Sequence, residues 1–220
     1  MTLTDLLPNQ HYPTRAEKLA DGWVHGVGLV VFTLAVGAAL GLAISQGGLG
    51  MASAVAVYAV CVLTMIGCSM AYNLAENHKR KSLLRRFDHA AIFLMIAGTY
   101  TPFTTIRLDG AWAISMTSIV WTLAIIGAAG KLFLPGVSKK IWIAFYIALG
   151  WLVLAATSEM IEQVPPAGIV LLAIGGLIYT IGVPFYTSQR LPFRRAIWHS
   201  FVLVAAGVHY AAVLTGVVFA

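Results

Sequence analysis

The sequence predicts an all-α integral membrane protein, a seven-transmembrane helical bundle with its N-terminus cytoplasmic and its C-terminus outside. Three observations predict it. The chain of 220 residues is 60% hydrophobic and only 10% charged, against about 25% charged residues in a soluble domain. Its mean hydropathy is +0.86. Its apolar residues fall into seven runs of spanning length, with Lys and Arg gathered in alternate connections.

The elements follow in order. Residues 1–22 are polar and are expected as a cytoplasmic tail; they hold no short apolar run ending in a small-residue cleavage site, so no removable signal peptide is expected. Residues 23–220 form one membrane domain. Its spans are expected at about 23–45, 51–74, 88–107, 110–134, 141–159, 165–187 and 196–219, each long enough to cross at roughly 20 residues. Lys and Arg near the ends of these runs set the orientation. Arg15 and Lys18 lie in the tail, Lys79, Arg80, Lys81, Arg85 and Arg86 before the third span, Lys131, Lys139 and Lys140 between the fourth and fifth, and Arg190, Arg194 and Arg195 before the seventh. The opposite side carries Arg107 alone. The net charge of +6 is therefore read as topogenic charge and attraction to anionic head groups, with membrane lipids and not nucleic acid as partners.

Polar residues in membrane helices are costly and mark candidate sites. Three pairs stand four residues apart, about one helical turn: Asp21/His25, Ser69/Asn73 and Arg195/His199. Asp88 opens the third span. By the charge topology all of these lie at cytoplasmic helix ends, so they can converge in one polar cavity. His89, one position on, is expected to face away from the Asp88 side. His11 and His78 fall in polar segments and are expected to be solvated. His209 lies about 15 Å beyond His199 and is read as a neutral imidazole bonded to a neighbouring helix. Pro102 is expected to loosen the third helix, with Thr99 and Thr101 bonding to nearby carbonyls. Gly175, Gly176, Gly182 and Pro184 indicate a closely packed, bent sixth helix. Cys61 and Cys68, about 10 Å apart along one helix, are too distant for a disulfide.

Four stretches carry a resemblance: EKLADGWVHGVG from Glu17 to Gly28, SMAYN from Ser69 to Asn73, FDHAAIFLMIAGTYTPF from Phe87 to Phe103, and AIWHSFVLVAAGVHY from Ala196 to Tyr210. On these the chain resembles the hemolysin III family, the bacterial branch of the progestin and adipoQ receptor superfamily, with the alkaline ceramidases more distant. The resemblance implies seven helices in the bacterial plasma (inner) membrane. It also implies a zinc site: a serine and a histidine four apart on the second helix, an aspartate opening the third, and two histidines four apart on the seventh. Here Ser69, Asp88 and His199 match, but Asn73 and Arg195 stand at two of the three histidine positions. Neither replaces an imidazole, since Asn is a poor zinc ligand and Arg has no available lone pair. No cofactor is therefore expected, and His199 alone remains as a metal ligand. In place of metal, Arg195 either pairs with Asp88, completing a polar cluster with Ser69, Asn73 and His199, or snorkels to the head groups; Asp21/His25 is a further candidate pair near the interface.

Three functions compete on this reading. The first is a non-enzymatic or receptor-like protein of membrane lipid or energetics homeostasis, its polar cavity taking a lipid or fatty acid, with the zinc site lost. The second is a metal-dependent, ceramidase-like lipid-amide hydrolase. The third is the cytolytic pore that the family name implies, for which the sequence offers no amphipathic pore-forming segment.

Overall fold

A computed structural model describes residues 12–76, 78–134 and 136–220, without the side chains of His78 and Lys79. The readings of His11 and His78, and of the first eleven residues of the tail, lie outside these. Every described element is helical. α1 spans Arg15–Leu74, α2 His78–Ile106, α3 Gly110–Phe133, α4 Lys139–Gly150, α5 Thr157–Gln163, α6 Pro166–Thr187 and α7 Arg194–Val213. A 3₁₀ turn at Leu152–Ala156 joins α4 to α5, and a π turn at Leu214–Val218 extends α7.

α1 is not one straight rod. Thr14 caps its start, the side chain accepting from the Glu17 amide at 3.2 Å. Gly48 breaks it, with φ 65° and ψ −156°, a conformation open in practice to glycine alone. The chain reverses there. His25 and Ser69 touch at 3.0 Å, whereas 44 residues of straight helix would hold them roughly 66 Å apart. Lys18 donates to Glu76 at 2.7 Å across the open end of the two legs, and holds that exposed carboxyl below its ordinary range.

Five helices among the described residues are long and apolar enough to cross a membrane by length and composition: Arg15–Leu74, Gly110–Phe133, Lys139–Gln163, Pro166–Thr187 and Arg194–Val218. The expectation of a seven-transmembrane bundle is corrected to this count. Two physical reasons account for the difference. The first two expected spans are a single helical element bent at one residue. α2, the third, carries Lys79, Arg80, Lys81, Arg85, Arg86 and Asp88 in its first half, so its composition is not that of a lipid-facing rod.

The first leg of α1 shows how an apolar helix is sorted in a membrane protein. Asp21, His25, Gly28, Phe32, Val36, Ala39 and Ala43 are buried, a stripe at three- and four-residue spacing. Trp23, Val27, Val30 and Leu34 on the other faces are exposed, as a lipid-facing surface requires. Polarity therefore points inward here, and the buried stripe begins with an aspartate and a histidine.

The core lies between α1, α2, α3 and α7. Phe93 of α2 is fully buried and meets Trp142, Phe145 and Tyr146 of α4 at ring-centroid distances of 6.0, 5.0 and 4.4 Å. Tyr100 explains the break between α4 and α5. Its hydroxyl donates to the Leu149 and Gly150 carbonyls (3.1 and 3.0 Å) and accepts from the Val153 amide at 2.7 Å, serving backbone groups that the interrupted helix leaves unpaired. Within α2, Thr99 and Thr101 donate to the carbonyls four residues back, at 2.9 Å each, just ahead of Pro102. Cys61 and Cys68 are free thiols; the first packs so close to Gly98 that a Cβ there would lie 2.5 Å from the Cys61 Cβ.

Candidate metal centre

The site is built at one end of the bundle, where four helical faces meet. The first leg of α1 supplies Asp21 and His25, one turn apart. Its return leg supplies Ser69 and Asn73, again one turn apart. α7 supplies Arg195 and His199, and α2 supplies Asp88. The first leg and α7 can approach closely because Gly28 has no side chain: a Cβ there would lie 2.6 Å from Leu203 Cδ1. Gly28 follows His25, and Leu203 follows His199, by about one turn, so this contact sets the gap between the two imidazoles. Their ring centroids are 4.4 Å apart.

Hydrogen bonds fix both tautomers. His25 Nδ1 lies 2.8 Å from the Asp21 carbonyl oxygen, which only accepts, so Nδ1 carries the proton and Nε2 offers a lone pair. His199 Nδ1 lies 2.6 Å from Asp21 Oδ1 and donates to that carboxylate, again leaving Nε2 as acceptor. Asp21 Oδ2 accepts from the Tyr12 hydroxyl. A carboxylate holding a histidine in this way is the usual support of a metal-ligating imidazole.

Both free Nε2 atoms converge on Ser69 Oγ, at 3.0 Å from His25 and 3.4 Å from His199. Asp88 lines the same cavity as this hydroxyl. One hydroxyl proton thus stands between two imidazole acceptors. Asn73 Nδ2 donates to Ser69 O and Oγ at 3.0 and 3.3 Å. Asp21, His25, Ser69, Asn73, Asp88 and His199 are all buried, and leaving a buried acceptor unmatched costs about 1–3 kcal/mol. A pocket so rich in lone pairs and so poor in protons is one that a cation completes.

One ligand atom each from Asp21, His25 and His199 lies within 4.8 Å of the others. Two imidazole nitrogens, one of them held by the Asp21 carboxylate, suit a zinc-type ion. The expectation that the metal site is lost, with no cofactor and His199 its sole remnant, is therefore overturned. It rested on Asn73 and Arg195, and neither belongs to this set. The candidate set instead joins Asp21 and His25 of the first leg of α1, a pair assigned from sequence to the interface, to His199 of α7. The non-enzymatic reading built on a lost site falls with it.

Arg195 Nη1 donates to Asn73 Oδ1 at 3.2 Å, and its guanidinium lies 5.7 Å from the Tyr12 ring centroid. It holds the Asn73 amide with nitrogen toward Ser69. His89 is turned inward, not away: it shares the Asp88 cavity, 6.5 Å from the Tyr72 ring, with Lys131 Nζ 3.5 Å from its Nδ1. His209 is bonded to the neighbouring helix as expected, 3.2 Å from the Leu172 carbonyl.

Ser69, Asn73, Asp88, Arg195 and His199 line a cavity of about 620 Å³, while Asp21 and His25 reach it through Ser69 and His199. Away from the polar end its walls are apolar, with Met65, Ile92, Ile96, Phe103, Leu154 and Met160. On α2 alone the lining runs from Ser82 to Thr104, about 33 Å of helix. The shape suits one polar group and a long hydrocarbon.

Tyr12 is the participant that sequence reasoning missed. It sits in a polar stretch without periodicity, so nothing local marks it. Tyr12→Phe is expected to weaken metal binding about 10–100-fold by freeing Asp21 to turn, as read by competition with a chromogenic chelator.

A bundle of apolar helices that turns two imidazoles and a carboxylate inward, beside a cavity with a hydrocarbon lining, defines a multi-pass membrane protein with a buried metal-type centre. The chain belongs to the haemolysin III family: the family model described as Haemolysin-III related matches residues 14–210. It is 36% identical over 201 residues to Hemolysin-3 of Bacillus cereus, covering 90% of each chain. It is 32% identical over 201 residues to the Hemolysin-3 homolog of Bacillus subtilis (strain 168), covering 91% of this chain and 94% of that one. A more partial likeness, 34% over 142 residues, covers 61% of this chain and 58% of the human monocyte to macrophage differentiation factor. Its location is the bacterial inner membrane, as a multi-pass protein in contact with lipid.

Proposed function

We propose that this chain is a metal-dependent hydrolase of lipid amides. The observation that carries the reading is the excess of buried acceptors around Ser69, set at the polar end of a hydrocarbon-lined cavity. His25 and His199 would hold the ion through Nε2, with Asp21 fixing the His199 ring from its Nδ1 side. A bound zinc-type ion supplies Lewis acidity toward a carbonyl oxygen and lowers the pKa of a bound water. Asp88, buried and beside Ser69, is placed to accept the proton of the attacking water and return it to the leaving nitrogen. In the net reaction the water oxygen bonds to the amide carbonyl carbon, the C–N bond breaks, and the nitrogen leaves as an amine. The apolar walls take the acyl chain, and the fatty acid is the second product.

The test is metal content and amide cleavage on the purified chain in detergent. About one zinc per chain is expected, with release of fatty acid from a fluorescent N-acyl lipid, lost on chelation and restored by added zinc. A chain that binds no zinc above background and cleaves no lipid amide would sink the reading.

A further inference from the structure

The polar end of the cavity is strongly and unevenly charged. Arg85, Arg86, Lys131, Lys139, Arg194 and Arg195 line it, and Asp88 is the lining carboxylate that opposes them. Several of these cations are turned into the bundle, not out toward head groups. Lys131 is half-buried, with Nζ 4.6 Å from the centroid of Trp142 and beside His89. Lys139 Nζ lies 3.8 Å from the centroid of Tyr186, and Tyr186 is itself part of the cavity wall. The cation–π contacts attract each ammonium but do not cancel its charge. Among the described residues, neither Lys131 nor Lys139 lies within ion-pair distance of a carboxylate.

Gathering like charges in a half-buried pocket is unfavourable unless something of opposite sign shares the space. The metal centre does not supply it, since Asp21 is engaged by His199 and Tyr12. The surplus positive charge faces the same cavity as His199 and Ser69, and the hydrocarbon lining leads away from it.

We infer that the cavity selects an acidic acyl amide, in which a carboxylate stands a few bonds beyond the amide nitrogen. N-acyl amino acids have this chemistry. The acyl chain lies along the apolar wall, the amide at the metal centre, and the carboxylate among Lys131, Lys139 and Arg195. The inference rests on the lipid-amide hydrolase reading for the reaction. Hydrolysis with water then yields a fatty acid and a free amino acid.

The experiment uses the whole chain, zinc-loaded, in nanodiscs of neutral phosphatidylcholine. Binding and cleavage are each measured for N-oleoylglycine and N-oleoylethanolamine, which share chain and amide and differ in the charged group. Wild type is expected to bind the acidic probe about tenfold or more tightly than the neutral one. Lys131→Gln should bring the two affinities together, and Lys131→Arg should keep them apart, which separates loss of charge from loss of fold. Equal affinities in wild type, or a preference that survives Lys131→Gln, would overturn the inference. Preferential binding of N-oleoylglycine without cleavage would uphold the charge selection and overturn the hydrolase reading. Equal binding with equal cleavage would do the reverse.

Discussion

A His199→Ala chain is expected to purify without its metal. The change removes one of the two Nε2 atoms that meet at Ser69, and it also strips Asp21 Oδ1 of its 2.6 Å donor. The carboxylate is fully buried, so it is then held by Tyr12 and loses its orientation toward His25. Ligand loss and second-shell loss act together, and zinc affinity should fall by more than about 100-fold, the upper range for disrupting a second-shell partner alone. Elemental analysis of the purified chain measures this directly, and amide cleavage should fall in parallel. Asn73→Ala is the informative companion. It removes donors to Ser69 but no candidate ligand, so metal content should persist. A chain that keeps its full metal content after His199→Ala would place the ion elsewhere.

Gly168→Ala is expected to carry the largest cost to stability. Gly168, near the start of α6, faces Gly216 in the turn that extends α7. A Cβ on Gly168 would lie 2.7 Å from the Gly216 Cα and 3.2 Å from its nitrogen. Most tight glycine contacts in this chain are against side chains, which can turn. This one is against backbone, which cannot yield without parting the two helices. Overpacking of this kind costs about 1–3 kcal/mol, and small residues at helix crossings are what permit such approach within a bilayer. For a chain of this size that corresponds to roughly 2–4 °C of Tm per kcal/mol. Thermal melts in detergent should show it, with the metal centre at the other end of α7 still formed in the folded fraction.

Much of this architecture is legible in the sequence. The expected run at 110–134 is α3 at Gly110–Phe133, and 165–187 is α6 at Pro166–Thr187, because Gly, Pro and charge punctuate the apolar segments. The four-residue spacing of the polar pairs also predicts shared faces, and the faces do converge. What spacing cannot supply is which pair meets which. Asp21/His25 and Ser69/Asn73 look alike as strings, yet one pair presents metal-type ligands and the other presents a hydroxyl and an amide that fixes it. That distinction depends on where each ring proton goes, and His199 Nδ1 and Asp21 are brought together by contacts 178 residues apart. Asn73 and Arg195 depart from the family pattern, but the site lies one turn further along α7 and on the opposing leg of α1. The span count differs from expectation for another reason. The GGLG stretch at 47–50 marks a break between two apolar runs, but helix continues to within a residue of Gly48 on both sides, so no loop separates them.

The reversal at Gly48 also has a consequence for how the protein is made. The two legs of α1 can close on each other as soon as residue 74 has emerged, which brings Asp21, His25 and Ser69 together early. His199 is synthesised last among the site residues. At about 5–20 residues per second, roughly ten to forty seconds separate the birth of Asp21 from that of His199. During this interval the nascent chain carries a half-formed site, with the Asp21 carboxylate lacking its histidine donor. An ion held by this site would thus be captured only after insertion of the final helix, and a product cut short before His199 would lack one of the candidate ligands.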